Sequence, residues 1–386
     1  IKWYERMEME DWEKAYQDTL KELQDHPILP ELNSSEPEVG VWYKKQISEG
    51  ICGGGWPYCV YLKKGRSDCL AVFMIGGGLS YCQETARCPG TLKATLQGKT
   101  PFYTDEVQPG NDIWFFNNPH NTGFLTMRED NKFVDWSIAM INYGTADFHI
   151  GQSDFRYTDE NGESKILYHH GYANFQASLR QIQELFPSPE KLLIAGESAG
   201  AFAVPAVAKD IMDAYSDCVD VTIYSDSALM LYPHWRQVVT DVWKAPEHIA
   251  EGVQTDNILV DFYRQLAACV GKKAKYLFSC GVGDSALIMY QNFLEESKFV
   301  YDPEKAGQMR ERLSRQVAQL QSLEVSFGFY IHDFVDNGMG QHCTLAAHTF
   351  IDGNVDGVSP MEWLWKAVNG EVSSVGLRLF SEIQDN

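Results

Sequence analysis

Lys191-Leu192-Leu193-Ile194-Ala195 runs into Gly196-Glu197-Ser198-Ala199-Gly200 and then into a segment from Ala201 to Ala214. How this stretch is read decides the fold. The first five residues are a short apolar run of the kind that forms a buried parallel strand. The last segment is rich in Ala and Val, with charged residues towards its end, and predicts a helix. Between them a serine flanked by glycines has the G-x-S-x-G form of a nucleophile elbow, a strained turn that points the serine hydroxyl outward. The glycines let strand and helix backbones pass close together. Small residues are common in any chain, so the strand–turn–helix context carries the weight. It makes Ser198 the expected nucleophile, against a purely structural turn.

Further strand-like runs occur at 71–75, 113–116, 138–141, 221–224, 276–280 and 327–331. Helical spacing lies between them: Phe175, Leu179, Ile182 and Phe186 step by 4, 3 and 4, and Met309, Leu313, Val317 and Leu320 by 4, 4 and 3. Strands alternating with helices predict an α/β fold, α/β-hydrolase-like, with a largely parallel central sheet. No repeat or composition break divides the 386 residues, so one domain with long loops is expected. Residues 1–50 read as a helical N-terminal extension packed on it, with Trp12, Tyr16, Leu20 and Leu23 on one face and Pro27 and Pro30 ending the helix. Ligands in such sheets bind beyond the carboxyl ends of the strands. Gly76-Gly77-Gly78, Tyr143 to Asp147, Ser198, Asp226 and Asp284 each follow a predicted strand, which gathers them on one rim.

Composition narrows the partners. With 32 basic and 53 acidic residues, the net charge is 32 − 53 = −21. A phosphate-tracking surface needs the opposite sign, which makes nucleic acid and anionic membrane surfaces poor partner candidates. No apolar run approaches the ~20 residues that span a bilayer. Nine cysteines include two close pairs, Cys52/Cys59 and Cys82/Cys88, where short disulfides are feasible; the odd total leaves at least one thiol in a monomer. Asn33-Ser34-Ser35 is a lone glycosylation sequon. An extracellular or cell-envelope location is the expectation.

A serine nucleophile needs a base, an acid that orients the base, and donors for the oxyanion. In the α/β-hydrolase order the acid and then the histidine follow the serine. His234 and His248 fall too early, and His332 ends a strand. Position favours His342 or His348, in Gln341-His342-Cys343-Thr344-Leu345-Ala346-Ala347-His348. Asp226 and Asp284 compete as the acid, and either could instead be a turn former or helix cap. The oxyanion donors would be the N–H of Ala199 and one from Gly76-Gly77-Gly78-Leu79, where glycine permits the backbone geometry. A nucleotide cradle is disfavoured, because neither G-x-x-x-x-G-K-[ST] nor G-x-G-x-x-G is formed there.

From about Gly54 to Gly370 the chain resembles the pectin acetylesterase/Notum family. The resemblance rests on Gly54-Gly55-Trp56-Pro57-Tyr58, Gly76-Gly77-Gly78-Leu79-Ser80-Tyr81-Cys82, Asn118-Pro119, Asp135-Trp136, Asn142 to Gly151, Gly171-Tyr172-Ala173-Asn174, the serine elbow and Val355-Asp356-Gly357-Val358-Ser359-Pro360. It implies Ser198, Asp284 and His348 as the triad, with Gly78, Leu79 and Ala199 as the oxyanion hole. It also implies Gly77, Tyr143, Asp147 and His149 as substrate contacts and a Cys82–Cys88 bridge. No cofactor is implied. Leu79 stands where the family has tryptophan, implying an altered acyl or leaving-group wall. Gly144 stands where a family cysteine often sits, implying that one family disulfide is missing. The implied activity is a serine carboxylesterase removing acetyl or other short acyl groups from a polysaccharide such as pectin, with a small-molecule or lipid acyl ester as the alternative. Two other readings are weaker. One is a non-catalytic carbohydrate-binding protein whose aromatics, 13% of the chain, stack on sugars. The other is a metal hydrolase using His332, Asp336, His342 and His348, which lack any tight ligand spacing.

Overall fold

The computed structural model describes residues 12–33, 36–107, 115–116 and 123–381. Eight strands form one sheet: β1 (Trp42–Ile51), β2 (Pro57–Lys63), β3 (Cys69–Met74), β4 (Ser137–Ile141), β5 (Lys191–Glu197), β6 (Asp220–Asp226), β7 (Ala274–Gly281) and β8 (Phe327–His332). Their order is β1-β2-β4-β3-β5-β6-β7-β8. Only β2 runs against the others. The expected α/β-hydrolase-like architecture is therefore present.

The central strands are apolar throughout because helices cover both faces. Leu192, Leu193, Ile194 and Ala195 of β5 and Leu277 and Phe278 of β7 are fully buried. The helices are α1 (Trp12–Asp25), α2 (Gly171–Leu185), α3 (Ala199–Ala214), α4 (Ile258–Val270), α5 (Ser285–Glu296), α6 (Ala306–Gln321) and α7 (Pro360–Val368), with shorter pieces between them. Helix α3 carries Pro205 in its interior. Proline cannot donate to the carbonyl four residues back, that of Ala201. The Ser225 hydroxyl of β6 donates to that carbonyl instead, at 2.7 Å. Among the described residues no helix is long and apolar enough to cross a membrane.

Register aligns the strand ends into a rim. Met74 pairs with Gly196, Glu197 with Asp226, Asp226 with Ser279, and Gly281 with His332. The loops leaving β3, β5, β6, β7 and β8 therefore emerge side by side.

Three expectations change. Residues 1–50 are not a helical extension as a whole: α1 is helical, but Trp42–Ile51 is strand β1 of the central sheet, held by seven pairings to β2. Of the run 113–116 only Phe115 and Phe116 are among the described residues, and neither belongs to a strand; the sequon and Asn118-Pro119 lie wholly or partly outside them. The nine cysteines are all free thiols. The Cys82 thiol lies against the Thr85 hydroxyl and the Cys88 thiol against the Glu84 carbonyl, so the short bridge is not formed. A Cβ added at Gly144 would lie 3.2 Å from Cys52 Sγ, so Cys52 stands beside the position where the family cysteine is missing.

Candidate active site

The elbow has the strain its sequence demands. Ser198 has φ 53° and ψ −123°, a conformation that costs of order 1–3 kcal/mol outside glycine. Its N–H donates to the Asp226 carbonyl at 2.9 Å. A Cβ at Gly200 would come within 2.1 Å of the Met74 carbonyl oxygen, and one at Gly196 within 2.5 Å of the Gly200 oxygen. Both glycines are thus steric requirements of the crossing between β3, β5 and α3.

The glycine loop packs directly on this turn: a Cβ at Gly76 would lie 2.5 Å from Ser198 Cβ and 2.8 Å from Ala199 N. Gly78 has φ +74°, and a Cβ there would meet the Phe102 oxygen at 2.1 Å. The antiparallel bridge of Gly78 with Tyr103, in which the Thr104 N–H donates to the Gly77 carbonyl, turns the Leu79 N–H towards the Phe102 carbonyl, whereas the N–H groups of Gly78 and Ala199 meet no backbone acceptor among the described residues. The Leu79 side chain is buried in the core and does not line the cavity, so exchange of the family tryptophan for leucine does not make an acyl wall here.

Tyr143, Asp147 and His149 were expected at the substrate; all three are buried, and none lines the cavity. They hold the glycine loop from behind. The Tyr143 hydroxyl donates to the Gly78 carbonyl at 3.0 Å and accepts the Phe148 N–H at 3.0 Å. His149 Nε2 bonds the Ile75 carbonyl at 2.9 Å. Asp147 accepts from the Thr145 hydroxyl and from the N–H groups of His149 and Gly171. Burial pushes Asp147 up to about 7, against those hydrogen bonds. Burial likewise pulls His149 down to about 4. Of the four expected contacts, Gly77 alone faces the cavity.

Asp284 caps α5 by accepting the Leu287 N–H at 3.0 Å, and is completely buried. Its carboxylate also receives His342 Nδ1, at 2.9 and 2.8 Å to the two oxygens. The histidine that meets Asp284 is therefore His342, not His348. His348 is exposed at the start of the helix Thr349–Asp352, where its carbonyl accepts from Ile351 and Asp352. Burial disfavours a charged His342. The Asp284 carboxylate beside it, with Asp226 and Glu197 behind, more than offsets this, and the net shift is upward.

A long-range clamp makes the difference. Asp226 Oδ2 accepts the N–H of Thr344 at 2.6 Å, the N–H of Leu345 at 2.8 Å and the Thr344 hydroxyl at 3.1 Å. The Ser227 hydroxyl accepts the Cys343 N–H at 3.0 Å. Cys343 takes φ 61°, an uncommon turn for a residue with a side chain. Pinned in this way, the loop presents His342 at the rim and carries His348 away from it. Asp226 was weighed as the acid; its side chain holds the loop that carries His342.

Ser198, His342 and Gly76–Gly78 line one cavity of about 690 Å³. Apolar walls come from Leu92, Phe102, Phe115 and Tyr290, among others. Glu197 also lines it, with Oε2 buried and unpartnered. Burial, with Asp226 nearby, pushes Glu197 up to about 8. Nothing in the residue pattern marked Glu197 beyond its place as the variable residue of the elbow. Among the described residues, the side chains close enough to share a metal ion are Glu197, Asp226 and Cys343. The Asp226 oxygens are already occupied by hydroxyl and backbone donors. His332, Asp336, His342 and His348 form no such group.

No sequence-family model and no curated protein matches the chain. Among solved structures, it is similar to that of the Wnt deacylase Notum from Drosophila, with 16% identity, 83% of this chain and 90% of that chain covered, and a TM-score of 0.56. The chain thus has the Notum-like α/β-hydrolase fold, a mostly parallel sheet flanked by helices whose strand ends carry the serine elbow and the Asp284–His342 pair.

Proposed function

We propose that the protein is a cofactor-independent serine hydrolase of carboxylic esters. The observation that carries this reading is the convergence of a strained serine and an Asp284-bound histidine on one cavity. Asp284 receives the Nδ1 proton of His342, which fixes the tautomer and leaves Nε2 as the base. Ser198 Oγ attacks the ester carbonyl while its proton passes to Nε2. The N–H groups of Ala199 and Gly78 receive the developing oxyanion. The imidazolium then protonates the departing alkoxide, and water, deprotonated by His342, releases the acid from the acyl-serine.

A cavity of about 690 Å³ with mostly apolar walls favours an ester with a sizeable apolar acyl or alcohol part. An acetyl group of a polysaccharide uses the same machinery but would leave most of that space to water. The Drosophila protein of similar fold is a deacylase, which agrees with ester cleavage as the reaction class.

The test is hydrolysis of a series of aryl esters from acetate to octanoate by the wild-type protein and Ser198→Ala. Wild-type turnover that the variant loses by at least ~10³-fold is expected. Full activity in Ser198→Ala, or no labelling of the wild type by a fluorophosphonate, would refute the reading.

A further inference from the structure

Glu106 is a buried carboxylate that the ester chemistry leaves unused. It is only 4% exposed, yet it lines the cavity. It follows the short strand Tyr103–Thr104, and the Thr104 N–H donates to the Gly77 carbonyl at 2.7 Å, so this segment is tied to the glycine loop. Glu106 Oε1 accepts the Leu92 N–H at 2.5 Å. The carboxylate is otherwise placed at the cavity wall. Burial raises the carboxyl to about 6, opposed by the Leu92 bond.

The cavity it lines also has aromatic walls. Phe102, Phe115 and Tyr290 line the same space. Ring faces carry negative potential, and aromatic walls beside an anion are the arrangement that holds an ammonium group. Lys99 is the one Lys or Arg among the described lining residues, and it is exposed. The net charge of −21 adds a field that draws cations towards the protein.

We infer that the cavity takes esters whose acyl or alcohol part bears a cationic ammonium group, with the Glu106 carboxylate as its counter-ion. The inference rests on the ester-hydrolase reading of Ser198. A neutral chain of equal length would leave the buried charge unpaired, and an anionic one would meet repulsion.

The experiment compares kcat/KM of the full chain for three 4-nitrophenyl esters of matched length: hexanoate, 6-(trimethylammonio)hexanoate and the adipate monoester. The cationic ester is expected to exceed the neutral one by about tenfold or more, with the anionic ester slowest. Glu106→Gln, which keeps an acceptor for Leu92, should bring the cation-to-neutral ratio down to about one on the same basis. Competitive inhibition of the wild type gives an independent readout should the variant misfold: hexyltrimethylammonium should bind at least about tenfold tighter than 1-hexanol. Equal rates for the three esters, an unchanged ratio in Glu106→Gln, or equal inhibition by the two probes overturns the inference and leaves ester hydrolysis standing. No hydrolysis of any ester, with no fluorophosphonate labelling of Ser198, overturns both.

Discussion

The serine elbow and the histidine loop are built in opposite ways. The elbow is specified within ten residues: an apolar strand, two sterically required glycines and a small-residue helix fix Ser198 with little help from afar. The loop 341–349 has no such local grammar. Its path is set by contacts more than a hundred residues away in sequence, the Asp226 and Ser227 clamps on Cys343, Thr344 and Leu345. A local rule places the serine, whereas only the clamp decides which histidine shares its cavity. Asp226 joins the two regions, because its carbonyl also holds the Ser198 N–H.

The sharpest way to break this contrast is at the pair itself. Asp284→Asn keeps a cap for α5 but removes the charge on His342, and should lower kcat by about 10⁴-fold with the fold intact. A variant within tenfold of wild type would detach Asp284 from the chemistry. Asp226→Asn should act on the loop and spare the elbow's steric logic. Loss of one acceptor oxygen against three donors should destabilise the protein by about 3 kcal/mol in urea unfolding. Unchanged stability would mean the loop holds itself. Tyr143→Phe strips the support from the Gly78 carbonyl and leaves the buried Phe148 N–H unpaired, for about 1–3 kcal/mol of stability. Since the oxyanion donors move with that loop, kcat should fall more than KM rises; a pure KM effect would contradict the placement.

The smallest expected effect is on pH. His342 must be neutral to act as base, and its folded value is shifted up from 6.5. Activity should therefore rise with pH around a midpoint above the ordinary imidazole value and be lost as the solution is acidified through it. Asp284→Asn removes the main group that favours the charged imidazole, so the midpoint of its residual activity should move down. An upward or absent shift would separate Asp284 from His342.

Much of the fold was legible because the central strands are buried on both faces and read as continuous apolar runs. β1 was not, since Trp42 to Ile51 is a half-exposed edge strand carrying Lys44, Lys45 and Glu49 among its apolar residues. The glycine loop, elbow and Asp284 were legible because each answers to a steric or capping rule at its own position. Tyr143, Asp147 and His149 were misplaced because motif order cannot distinguish a residue facing the cavity from one bracing the wall behind it. His342 and His348 are six residues apart on one loop, and sequence spacing offers no means of telling which is clamped to the rim.

The central claim is that His342, clamped by Asp226 and bonded to Asp284, is the base for Ser198. It is tested most directly by measuring kcat/KM for one aryl ester in His342→Ala and His348→Ala side by side. His342→Ala should fall by at least ~10³-fold while His348→Ala stays near wild type. The reverse pattern would contradict the account.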